Sequence, residues 1–250
     1  MVYGATAYLL LPWAWTHYEH QRGLARLPMV TATAQGIPGD PLNVGLVGSR
    51  EEVVRAMTAA GWFAADPITW RTSIEIVGSV LLDRPYRDAP VSPLFYDGRR
   101  EDLAFEKPAA TSPDRRNHVR FWKVLETGQE GRPVWLGSAT FDRSVGLSHL
   151  TGAVTHHIAP DIDAERELLA ANLEATGMVE RRYTISGVGP TLFGRNGEGD
   201  RYYTDGEILV SVLTPDGEPR SEAADRLPPP TLVGVKNKAF ARLRSALPRP

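Results

Sequence analysis

The sequence predicts an α+β domain, a few helices packed on a largely antiparallel or mixed sheet. Three observations carry this. Strand-like runs crowd residues 90–160 and 182–213. Two helical patterns stand apart from them, and turn formers are frequent, with 23 glycines and 20 prolines in 250 residues. A chain of this length buries roughly 70–75% of its unfolded surface, so a single domain needs no cross-links. With 42% hydrophobic and 23% charged residues it is neither disordered nor a multi-span membrane protein. The lack of cysteine excludes disulfides, thiolate metal sites and thiol nucleophiles.

The elements follow in order. Leu42 to Gly48 reads as a buried strand. Ser49-Arg-Glu-Glu52 then forms a capping box, and Val53, Val54, Met57 and Ala60 make a helical stripe that Gly61 ends. Thr72 to Leu82 is read as a helix. Strands are expected at Leu94–Tyr96, Leu103–Phe105, Val119–Leu125, Val134–Phe141 and Thr155–Ile158, with Gly128–Gly131 as a hairpin turn. A second helix runs from Asp161 to Thr176, stopped by Gly177, with Ile162, Leu168, Leu169 and Leu173 inward. Arg182–Ser186 and Gly206–Leu213 are further strands, and Asn196-Gly197 and Pro215-Asp-Gly217 are turns.

Three regions divide the chain: a hydrophobic segment 1–29, a domain 30–218, and a proline-rich connector with a basic amphipathic tail at 219–250. The first 18 residues hold no Asp, Glu, Lys or Arg. That run is shorter than the about 20 apolar residues that span a bilayer. It is either a core element or the exit end of a membrane segment, since Trp13, Trp15 and Tyr18 beside Arg22 and Arg26 suit a membrane interface. Residues 226–250 carry Arg226, Lys236, Lys238, Arg242, Arg244 and Arg249 without an acid, while the chain as a whole has a net charge of −2. The acidic body argues against nucleic acid. The tail helix, with Val233, Phe240, Leu243 and Leu247 on one stripe, is expected either to dock on its own domain or to lie on anionic lipid.

Three polar blocks can carry chemistry. Thr155-His156-His157 leads into Asp161, Asp163 and Glu165, and imidazoles with carboxylates are the ligands a divalent ion takes without thiolates. In a strand the two histidines point to opposite faces. The acids also suit the positive end of a helix without any metal. Arg115 to Trp122 places His118, Arg120 and Trp122 on one strand face, either an anion or phosphoester site or an edge where arginine stacks on tryptophan. Asp142 ends the third block as a metal ligand, a histidine-orienting group or a turn former. No Gly-x-Ser-x-Gly, His-Glu-x-x-His or phosphate-loop motif occurs, and Gly194 to Gly199 is a hairpin loop.

At Arg99–Glu106, His118–Trp122, Val134–Asp142, Thr155–Arg166, Pro41–Gly48 and Ala60-Gly-Trp62 the chain resembles the LssY C-terminal domain family over roughly residues 30–215. The resemblance implies a bacterial, envelope-associated module often joined to membrane parts such as DedA-type or type-2 phosphatidic acid phosphatase domains. It supplies no catalytic residues, and the phosphatase motifs are not present here. Two functions are expected from these residues. One is a metal-dependent hydrolase of a phosphorylated or lipid-linked substrate: His156 or His157, Asp142 and an acid from Asp161, Asp163 or Glu165 hold zinc or manganese, and His118 and Arg120 move protons and meet charge. The other is a non-catalytic module that binds or scaffolds membrane proteins.

Overall fold

The computed structural model of the chain describes residues 5, 21–24, 27–65, 71, 94–109, 115–147 and 154–247. The apolar N-terminal run and the helix expected at 72–82 lie outside the described residues. Among those described, the architecture is α+β in one domain, with three helices of more than one turn.

The main sheet is built on β9 (Val134–Leu147), 14 residues long. On one side β9 pairs antiparallel with β8 (Arg116–Leu125), which pairs with β7 (Leu103–Pro108), and β7 pairs with β4 (Phe63–Ala64). On the other side two strands share its length. β3 (Val44–Val47) takes residues 134–137, and β10 (Val154–Ile158) takes residues 142–147. Beyond β3 come β14 (Glu207–Leu213), β11 (Val179–Ser186) and β15 (Asp225–Arg226). A smaller antiparallel sheet holds β2 (Pro38–Pro41), β1 (Val30–Thr33), β5 (Leu94–Tyr96) and β6 (Arg99–Arg100). β12 (Thr191–Arg195) and β13 (Arg201–Thr204) form a separate hairpin around the Asn196-Gly197 turn.

Residues 138–140 of β9 lie between the reach of β3 and that of β10. There the side chain of Asn43 acts as a piece of strand. Its Nδ2 donates to the Ala139 carbonyl (2.9 Å) and its Oδ1 accepts the Ala139 N–H (2.8 Å). The same Nδ2 donates to the Ile162 carbonyl (2.9 Å), which ties the start of a helix to the sheet.

That helix is α2 (Ile162–Ala175); the earlier α1 (Arg50–Ala59) and the C-terminal α3 (Thr231–Ala246) complete the set. The α1 capping box is formed as expected, Ser49 Oγ accepting Glu52 N–H and Glu52 Oε2 accepting Ser49 N–H. Gly61 and Gly177 follow their helices with φ of 76° and 74°, a conformation that Cβ-bearing residues avoid. α1 and α2 cover one face of the sheet, where Val53, Met57 and Leu169 meet Phe105, Val119, Phe121 and Trp135. On the other face Trp122 and Leu136 pack with Leu94 and Tyr96 of the small sheet, the Tyr96 and Trp122 rings 5.8 Å apart.

Two apolar positions are more exposed than an inward-facing stripe would make them. Leu168 is 39% exposed, because the stripe that meets the sheet runs through Ile162, Glu165, Arg166, Leu169 and Leu173. Leu243 is 58% exposed, because α3 rests on the body through Val233, Lys236 and Arg244. Lys236 Nζ donates to the Asp205 carbonyl (2.8 Å), and the Arg244 guanidinium lies 3.3 Å above the Tyr203 ring. No helix among the described residues is long and apolar enough to cross a membrane.

Asn43→Ala leaves the Ala139 amide and carbonyl buried without partners. It is expected to lower stability by about 3 kcal/mol, read as an earlier urea midpoint. An unchanged midpoint would show that the side chain is not needed to complete the sheet.

Candidate functional site

Alternation along β8 puts Arg116, His118, Arg120 and Trp122 on the face turned from α1 and α2. Register sets their neighbours on β9: Arg116 opposite Asp142, His118 opposite Thr140, Arg120 opposite Ser138. His118, Arg120, Ser138, Thr140 and Asp142 are all buried, so this is no solvated sheet edge. β8 lies inside the sheet, and Trp122 Nε1 donates to the Arg99 carbonyl (3.2 Å).

Asp40 on β2 joins this face from the small sheet. Burial pushes its carboxyl above the ordinary range, opposed by a hydrogen bond from Asn196 Nδ2 (2.9 Å) and by the charge of Arg120. Burial also pushes Asp142 up to about 7, with Arg120 and Arg116 pulling it down and Asp40 and Glu106 adding repulsion. Arg120 is thus the shared counter-charge of two buried carboxylates, Asp40 and Asp142. Glu165, reaching inward from α2, is raised to about 8 by burial and by the charge of Asp142. Its Oε1 has no hydrogen-bond partner among the described residues.

Asn196 links this group to a second one. Its Oδ1 accepts the N–H groups of Glu198 (3.1 Å) and Asp200 (2.9 Å), which shapes the β12–β13 turn while its amide holds Asp40. The turn delivers Asp200, itself buried, to β10. Asp200 Oδ2 accepts the Ile158 N–H (3.1 Å), and Oδ1 meets Nδ1 of His157 at 2.9 Å. A carboxylate only accepts, so Nδ1 carries the proton, and in the neutral ring Nε2 holds the lone pair. The His157 side chain is 23% exposed, and Arg143, 53% exposed, stands 4.0 Å from Asp200. This is the accessible end of a polar network whose buried end is Arg120 and Asp142.

The other expected ligands serve nearby partners. Asp161 caps α2 by accepting the Ala164 N–H (3.1 Å) and takes the Tyr203 hydroxyl (2.8 Å). Asp163 accepts from Thr204 Oγ1 (2.6 Å) and from the Asp205 N–H (2.8 Å), beside Arg166. His156 stands opposite Val145, and its side chain lies outside the described residues. The structure therefore brings His118, Arg120 and Asp142 onto one face, with Glu165 within electrostatic reach of Asp142, and joins His157 to them through Asp200, Asn196 and Asp40. It holds Asp161 and Asp163 against the β13 segment instead. Among the described residues no three His, Asp or Glu side chains are grouped to hold a metal ion.

The LssY C-terminus family matches residues 24–208, three-quarters of the chain. The chain belongs to the LssY C-terminal family. No curated protein and no solved structure matches it. The family's matched span contains every residue of the network, from Asp40 to Asp200. Three members of this LssY C-terminal site, Asp40, Asn196 and Asp200, carry no signal in the sequence beyond that of turn residues. Asp40 stands between Gly39 and Pro41, and Asp200 ends a Gly-Glu-Gly run.

A carboxyl raised by folding holds its proton to a higher pH in the folded chain than in the unfolded one. Between pH 3.8 and about 7 the folded state binds the extra proton at Asp142, so its contribution to stability falls as pH rises through that window. Glu165 acts likewise from 4.5 to about 8. Asp142→Asn is expected to flatten the fall of melting temperature between pH 4 and 7, and Glu165→Gln the fall extending to pH 8. Curves parallel to wild type for both variants would refute the assignment.

Proposed function

We propose that this LssY C-terminal domain is a hydrolase of an anionic ester, foremost a phosphoester, with His157 as the proton acceptor. The observation that carries this is the partly exposed His157 imidazole held through Nδ1 by the buried Asp200 carboxylate. Such an arrangement fixes the tautomer and aims an unprotonated nitrogen outward. Nε2 takes a proton from water as the water oxygen bonds to phosphorus and the P–O bond to the alcohol breaks. The imidazolium then gives that proton to the departing alkoxide, and Arg143 meets the substrate's negative charge. A cluster of acids would ordinarily repel such a substrate. Here Asp142, with its carboxyl raised to about 7, is partly protonated at neutral pH, and Arg120 offsets Asp40. Of the acids expected to join Asp142 and His156 or His157 on a metal ion, Asp161 and Asp163 have partners of their own. The proposal therefore assigns the chemistry to proton transfer and fixed positive charge.

The test uses the full chain with p-nitrophenyl phosphate, bis(p-nitrophenyl) phosphate and p-nitrophenyl acetate. Turnover of a phosphate ester is expected, with His157→Ala and Asp200→Asn lowering kcat by about 100-fold or more while the melting temperature holds. Turnover that survives both substitutions contradicts the assignment. A second reading, a non-catalytic binding module, draws on the structural hydrogen bonds of Asp161 and Asp163. It is favoured if phosphate binds but no ester is cleaved.

The same proposal puts the domain at an anionic membrane surface, in keeping with the envelope setting that its family resemblance implies. The outer arc of α3 carries Lys238 and Arg242 together with exposed Leu232, Val235 and Leu243. Each basic residue near such a surface adds on the order of 1 kcal/mol. Binding to phosphatidylserine vesicles at low salt is expected, weakened in the Lys238→Glu, Arg242→Glu double variant. Equal binding by both proteins would remove α3 as the contact.

A further inference from the structure

A cavity of about 560 Å³ opens between the start of α3, the loop at 187–190 and the first residues of β14. It shares no lining residue with the His157–Asp200 network. Its walls are mainly apolar: Ile185, Val188, Pro190, Pro229, Leu232 and Val233. The volume falls within the range of small-molecule sites.

The rim is preformed rather than opened by a ligand. The N–H groups of Gly187 and Gly189 both donate to the Gly206 carbonyl, at 3.0 and 3.3 Å. Gly206 has a φ of +80°, and a Cβ there would lie 1.9 Å from the Gly189 carbonyl carbon. Only glycine permits this crossing, which holds Val188 at the mouth of the cavity.

A pair of opposite charges lines the cavity, beside the hydroxyls of Thr184, Ser186 and Thr231. Lys236 Nζ stands 2.8 Å from Glu207 Oε1 and donates to the Asp205 carbonyl at 2.8 Å. An ammonium has three N–H bonds and the Asp205 carbonyl takes one of them, so N–H remains for a guest. The pair is neutral overall. A carboxylate guest would set a second negative charge beside Glu207, and a cation would face Lys236.

We propose that this cavity binds an uncharged, mainly apolar small molecule with one acceptor oxygen, which takes an N–H of Lys236 that the Asp205 carbonyl leaves free. The apolar body fills the space between Val188 and Leu232, and α3 forms one wall.

The test uses the full chain and the uncharged probe N-phenyl-1-naphthylamine, displaced in turn by decan-1-ol and by decanoate. A saturable rise in emission is expected, with decan-1-ol displacing the probe at least tenfold more effectively than decanoate. Val188→Trp should weaken probe binding at least tenfold. So should Leu232→Arg, at a position 53% exposed, where the fold tolerates charge. Lys236→Met should keep the probe and weaken displacement by decan-1-ol, whose oxygen loses its donor. The proposal is overturned by a wild-type chain that gives no saturable signal, by two filled variants that bind as wild type, or by equal displacement by alcohol and acid.

Discussion

β9 is longer than any neighbour on one of its edges, and that mismatch governs the molecule. A buried backbone amide without a partner costs about as much as a lost hydrogen bond or more, so the gap between β3 and β10 has to be closed. Asn43 closes it with a carboxamide that copies a peptide group. In doing so it sets where β10 begins to pair, where α2 starts, and hence where His157 stands relative to Asp142. A serine or threonine would be too short to exchange both bonds with Ala139, and an aspartate would lack the donor.

Once β9 is placed, electrostatics separates scaffold from site. Arg166 is wrapped by Asp163, Glu167 and Asp205, and Arg182 and Arg226 both reach Glu174. In these groups every acid lies within ion-pair distance of a guanidinium, and each group pins one segment to another. The face of β8 and β9 differs. Two buried carboxylates depend on Arg120, Glu165 adds a third acid from the opposite side, and protonation near neutral pH relieves what the cations do not. Unbalanced burial of this kind costs stability, and groups perturbed in this way cluster at functional sites. The His157–Asp200 pair stands at an end of that network that solvent reaches.

The local parts of this arrangement are legible in the amino-acid sequence. The Ser49–Glu52 capping box, the glycine stops at 61 and 177, and the shared face of His118, Arg120 and Trp122 follow from spacing alone. The α+β class follows from the crowding of strand runs, and the family from the order of the polar blocks. What spacing does not carry is the pairing of distant segments. Asp40 and Asp200 are separated by 160 positions and are joined by Asn196 through a hairpin turn. Each looks like a turn aspartate in isolation. The same limit explains Leu168 and Leu243, whose helical periodicity identifies an apolar stripe but not which edge of it meets the body. It also explains why Asp161 and Asp163 read as metal ligands: their partners, Tyr203, Thr204 and Asp205, lie about 40 residues further along.

The central claim is that Asp200 fixes the tautomer of His157 so that Nε2 is the free base. Two-bond proton–nitrogen correlation NMR of the imidazole rings reads this directly at a pH where the ring is neutral. The account predicts that His157 carries its proton on Nδ1 in the wild-type chain and that Asp200→Ala abolishes that preference. A wild-type His157 protonated on Nε2, or a tautomer indifferent to the loss of Asp200, would contradict it.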